Sequence, residues 1–166
     1  MATLRAVLSR LIRRATPART TSRHAPGAGS RAGYPGDFTA VPTMTYSPVP
    51  DGRPDPGEIV WTWVPFEEDH SQGKDRPVLI IGRDGAWLLG LMLTSQDHER
   101  DAAQEARFGR VWEDIGSGPW DRRGRRSEVR VDRILRIDPD AVRREGAVLD
   151  ERRFTAVTQA VRAARR

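Results

Sequence analysis

Cysteine is absent from all 166 residues, so neither disulfides nor thiolate metal sites hold this fold together. That absence suits a reducing compartment, and a cytoplasmic location is the expectation. No apolar run approaches the ~20 residues that a membrane helix needs, so no stable membrane association is expected. Histidine occurs three times, without metal-ligand spacing, and neither a metal nor any other cofactor is expected. A Walker-type phosphate loop, a nucleophile elbow and a dinucleotide fingerprint are all missing, as is any internal repeat. Acidic residues are scarce at one end only. Residues 1–50 contain seven Arg and a single acid, Asp37, whereas residues 51–166 contain 21 basic and 22 acidic residues. The net charge of +5 therefore lies in the N-terminal arm. Anion binding by the remainder must be local rather than the work of a global field.

What is present divides the chain at residues 1–55 and 56–166. In the first part, Leu4, Leu8, Leu11 and Ile12 fall at helical spacing among arginines and predict a short basic amphipathic helix. Such a helix gives only marginal attachment to a membrane surface. From Thr16 to Pro56, Pro, Gly, Ser, Thr and Ala dominate without periodicity, the pattern of a disordered linker. The arm has the Arg-rich, acid-poor look of a transit peptide, the alternatives being a solvated tail or a start assigned upstream of Met44. On this reading, deletion to Met44 leaves the fold intact.

From Pro56 the pattern becomes that of strands. Gly57–Phe66 alternates, with Ile59, Trp61 and Trp63 on one face and Val60, Thr62 and Val64 on the other. Pro77–Arg83 is a nearly continuous apolar run. Asp84-Gly85 predicts a type I′ hairpin turn leading into Ala86–Thr94, with Gly90 as a bulge or bend. Gly109–Ile115 and Ser127–Ile137 supply further short strands. Asp138-Pro139 can start a helix that Gly146 stops. Asp150 caps a last helix whose stripe is Phe154, Val157 and Val161, with Leu149 stapled onto Phe154. Strands first and helices last give a mainly β fold: a small, curled antiparallel barrel with a C-terminal helix packed on it.

Arg76 stands at the entry of a strand whose path Pro77 fixes. It either pins the loop by pairing with Asp75 or Asp69, or presents a guanidinium fork to a phosphate. Antiparallel pairing brings Thr94-Ser95, at the end of the next strand, to the same end of the sheet. Thr94 is either a hydroxyl bonded to local backbone or part of an oxyanion site. His70 and His98 lie in the two flanking loops, as ordinary loop residues or as acid–base groups. Trp61, Trp63 and Trp87 suit a core or interface, whereas Trp112 and Trp120 offer surfaces on which bases could stack.

These pieces together resemble the MazF/PemK family of toxin endoribonucleases. The matching residues are Gly57-Glu58-Ile59-Val60-Trp61, Ser71-Gln72-Gly73, Arg76-Pro77-Val78-Leu79-Ile80-Ile81 and the strand ending in Thr94-Ser95. The segments 127–142 and 149–161 are similar to the family's closing strands and C-terminal helix. The resemblance implies an SH3-like barrel that forms a homodimer and is inhibited by an antitoxin protein. It implies cleavage of single-stranded RNA without a metal, by attack of the 2′-hydroxyl to give a cyclic phosphate. By motif, Arg76 and Thr94 are the catalytic residues. Ser71, Gln72, Gly73, Ser95, His70 and His98 are candidate substrate contacts. A non-catalytic barrel that binds a protein or nucleic acid is the alternative from another functional class.

Overall fold

The computed structural model describes residues 33–95, 105 and 107–166. The expected helix at 4–15 and the candidate contact His98 lie outside the described residues. Among the described residues seven strands are formed: β1 (Glu58–Pro65), β2 (Gly73–Asp84), β3 (Trp87–Thr94), β4 (Trp112–Gly116), β5 (Ser127–Arg130), β6 (Leu135–Ile137) and β7 (Arg144–Val148). An α-helix, α1 (Glu151–Ala163), follows them. Every ladder is antiparallel, in the order β4-β5-β3-β2-β1-β7, with β6 also pairing along β3. β3 thus carries β2 on one edge and both β5 and β6 on the other, which curls the sheet into a half-barrel. Mainly β with a C-terminal helix is the architecture that the alternation implied.

The alternation of β1 sorts its residues as expected. Ile59 joins a large core with Leu79, Leu91, Val129 and the helix stripe Phe154, Val157 and Val161. Val60 and Val64 join a second cluster on the opposite face, with Val78, Ile80 and Leu135. The middle of the sheet is therefore covered on both sides, as the continuous apolar run of β2 requires. Asp150 caps α1 by accepting from the Arg153 amide at 3.0 Å. Among the described residues, no helix is long and apolar enough to cross a membrane.

Three local expectations change. Asp84 pairs with Trp87, so the hairpin turn is Gly85-Ala86, and of these two only Gly85 has positive φ, at 59°. Positive φ at the first central position alone is the type II′ pattern, not I′. The β2–β3 register slips between Ile80 and Gly82, opposite Gly90 and Leu89, which puts the irregularity on β2. The helix expected from Asp138 to Gly146 is only a 3₁₀ turn at Pro139–Ala141. Val142 is already extended, and Arg144–Val148 pairs with β1 instead. An open edge of β1 outcompetes the weak helical preference of this short segment.

Residues 33–56, expected as linker, are laid against the barrel. Phe38 bridges to Ile134, its amide donating to the Ile134 carbonyl at 2.8 Å. Arg136 donates to the carbonyls of Gly36 and Asp37, and Arg165 to those of Phe38 and Thr39. Tyr46 donates to the Leu149 carbonyl at 2.8 Å and packs its ring on Phe154. The strap passes so close to β2 that a Cβ on Gly82 would lie 2.5 Å from the Thr43 carbonyl oxygen. Composition pointed to a linker because few of these residues are apolar. Several of their backbone carbonyls are satisfied by arginine side chains, which periodicity does not reveal.

Candidate nucleic-acid interface

The ends of β1, β2 and β3, with the β1–β2 loop and β4–β5, enclose a cleft of about 320 Å³. Its floor is the end of the second apolar cluster, Val64 and Met92. Its walls carry four arginines, at 76, 110, 130 and 133, and three glutamates, at 67, 68 and 105. Phe66 and Trp112 add aromatic surface. Charge is nearly balanced inside the cleft, as it is across residues 51–166, so what distinguishes one arginine from another is its partner.

Arg130 is 5% exposed and is gripped by two carboxylates. Its Nε and Nη2 donate to Asp132, at 2.7 Å for the shortest bond, and its Nη1 and Nη2 donate to Glu67 at 2.8 and 3.3 Å. Burial alone would ease its proton off, but the bonds to Asp132 and Glu67 outweigh that and raise its pKa further. Arg133 is also 5% exposed and donates to Asp37 of the strap at 2.8 and 3.2 Å. Burial pushes the Asp37 carboxyl up, yet the bonds from Arg133 and from the Tyr34 hydroxyl hold it below its usual value. Arg110 sits 3.8 Å from Glu105.

Arg76 differs: among the described residues its side chain has no ion pair or hydrogen bond. Neither acid expected to pin it does so. Asp75 pairs with Arg143. Asp69 accepts from the Ser71 amide and hydroxyl and from Gln72 Nε2, which holds its carboxyl below the ordinary range. Arg76 is half-buried, on the strand pair where it faces Thr62 of β1. Val78 faces Met92 across β2–β3, and two residues further along each strand that register reaches Arg76 and Thr94. Both therefore lie at one end of the sheet, two residues beyond the last β2–β3 pair. Thr94 also pairs with Glu128 of β5 and stands outside the cleft lining.

The remaining candidates sit apart. Ser71 and Gln72 are turned onto Asp69, closing the loop on itself. Gly73 starts β2 where a Cβ would lie 2.3 Å from the Val64 carbonyl oxygen, so glycine lets the loop close tightly against β1. His70 is exposed, with its ring edge-on to Tyr34 at 4.9 Å, away from the cleft lining. Ser95 is exposed beyond the end of β3. Trp120 is buried, its indole donating to Ser127 at 3.1 Å, so it offers no stacking face, whereas Trp112 does line the cleft.

Sequence reasoning missed Arg130, Arg133, Glu67 and Glu105. The alternation in Val129-Arg130-Val131-Asp132-Arg133 marks Arg130 and Asp132 as one face of a strand, but that pattern ordinarily means solvent. Only the curl of β5 toward the β1–β2 loop shows otherwise.

A family model described as PemK-like, MazF-like toxin of type II toxin–antitoxin system matches residues 55–164. No curated protein matches the chain. Among solved structures, the chain is similar to a crystal structure of MazE–MazF (form II) from Deinococcus radiodurans. The identity is 18% and the TM-score 0.47, over 68% of this chain and 96% of that one.

Proposed function

The chain belongs to the PemK-like, MazF-like toxins of type II toxin–antitoxin systems, and from that premise we propose that it is a metal-independent endoribonuclease acting on single-stranded RNA. The observation that carries the reading is Arg76: a half-buried guanidinium in the cleft, without a carboxylate partner among the described residues, on the motif that the family resemblance singled out.

The chemistry asks little of the protein. RNA supplies its own nucleophile. The 2′-hydroxyl oxygen attacks the adjacent phosphorus and the bond to the 5′-oxygen breaks. The 2′-hydroxyl loses its proton as it attacks and the departing 5′-oxygen takes one up, so the products are a 2′,3′-cyclic phosphate and a 5′-hydroxyl with no net change in protons. Negative charge grows on the non-bridging oxygens as phosphorus becomes five-coordinate. Arg76 meets that charge with a fork of N–H donors, and the Thr94 hydroxyl donates to one of the oxygens. Arg76 acts through its charge and its fork of donors rather than as the base, a role that this proposal leaves to another group. A dimer is part of the same proposal, as is an antitoxin whose flexible acidic segment covers the Arg76–Thr94 end.

The test is cleavage of a mixed-sequence single-stranded RNA in EDTA, with the new ends mapped. Arg76→Ala and Thr94→Ala are each expected to slow cleavage by ~100–1000-fold while remaining folded. RNA bound but left uncut by the wild-type chain, at every sequence tried, would replace the nuclease with a binding module.

A further inference from the structure

Glu67 occupies a position that its own chemistry does not require. Arg130 is already neutralised by Asp132, which grips Nε and Nη2 and also accepts the Val111 amide at 2.7 Å. Asp132 is thus fixed from two sides. Glu67 comes from the β1–β2 loop, sits on the outer fork of the guanidinium with both oxygens, and is 47% exposed. One cation therefore holds two carboxylates, and when the half-exposed Glu67 returns to water Arg130 remains paired with Asp132.

The fork facing the cleft donates to two oxygens of one anionic group in a plane, which is also how a phosphodiester is held. Exchanging a carboxylate for a phosphodiester leaves the local charge unchanged. The flanking surface suits a nucleotide as well: Trp112 stands opposite Arg130 in the β4–β5 ladder and lines the same cleft. The loop that delivers Glu67 is closed on itself, by the Phe66 amide on the Gln72 carbonyl and by the Asp69 turn, so it can leave as one piece.

We propose that Arg130 is a second phosphate-binding residue of the cleft, and that Glu67 fills the site until a backbone phosphodiester of single-stranded RNA, other than the one held by Arg76, displaces it. The inference rests on the RNA-cleaving reading for the identity of the ligand, not for the existence of the anion site.

The probe is a fluorescein-labelled single-stranded RNA carrying 2′-O-methyl groups throughout, which binds without offering a nucleophile. It is titrated by anisotropy into the full chain. Glu67→Gln is expected to tighten binding about fivefold or more, and Glu68→Gln, which removes equal charge from the same cleft, by clearly less. Arg130→Lys keeps the charge, loses the fork, and should abolish the tightening that Glu67→Gln otherwise produces. If that variant fails to fold, the Arg130 Nε–H resonance of the wild-type chain decides: it should shift as RNA is added.

Equal effects of Glu67→Gln and Glu68→Gln with an unmoved Arg130 resonance would overturn the proposal. So would tightening toward an oligo-aspartate peptide but not toward RNA, which would assign the site to a protein partner. Cleavage of unmodified RNA is scored separately. Cleavage without a Glu67 effect sinks this inference alone. A Glu67 effect without cleavage upholds the phosphate site and sinks the nuclease.

Discussion

At the scale of single residues, burial decides which charges matter. Arg133 is 5% exposed and reaches Asp37, a residue of the strap, so the pair joins two segments almost a hundred positions apart. Removing the carboxylate leaves a buried cation uncompensated, which typically costs about 3–5 kcal/mol. Asp37→Ala is therefore expected to lower the urea midpoint substantially. The pH dependence follows from the lowered pKa. Asp37 contributes stability that is fully present above its unfolded value near 3.8 and is lost as pH falls through the lower folded value. The gap in midpoint between wild type and Asp37→Asn should be constant from pH 5 to 7 and narrow below pH 3.8. A gap that widens on acidification would contradict the assignment. Arg76 was legible in the sequence because Pro77 and the apolar run after it announce a strand entry. The pairing of Arg130 with Glu67 and of Arg133 with Asp37 was not, because each joins segments more than sixty positions apart and leaves no local signature.

Among the elements, the strap changes the most between sequence and structure. Deletion to Met44, expected from composition to be harmless, removes Asp37 from Arg133 and Phe38 from its bridge to Ile134. The truncated chain should lose about 3 kcal/mol or more, read as a drop in thermal midpoint. Gly82→Ala probes the same contact from the other side. A methyl group there meets the Thr43 carbonyl at 2.5 Å, so strap or strand must shift, at a cost of about 1–3 kcal/mol. An unchanged melting curve for both variants would show that the strap carries no stability. By contrast α1 was readable in full. Its cap at Asp150 and its stripe of Phe154, Val157 and Val161 are local signals, and helix geometry translates spacing directly into a face. The segment from Pro139 to Val148 was misread because pairing to β1 is a long-range event that nothing in its own stretch of sequence encodes.

For the whole molecule, charge is the telling quantity. The positive excess lies in residues 1–50, and the barrel is close to neutral. An RNA held in the cleft is then held at few points. With two phosphates engaged, the logarithm of the binding constant should fall with the logarithm of salt at a slope of about −1.4 for a single strand. Measured on residues 33–166, a slope several times steeper would reveal a broad basic face that the fold does not present. The fold class was legible at this scale because strands come first and the helix last, but the strand order was not, since β7 and its pairing with β1 join distant segments.

Arg165, next to last in the sequence, hooks the Phe38 and Thr39 carbonyls. The residue just past α1 thereby latches the strap. Loss of that one guanidinium would leave every strand in place yet slacken the stretch at Thr39, a hundred and twenty-six positions away.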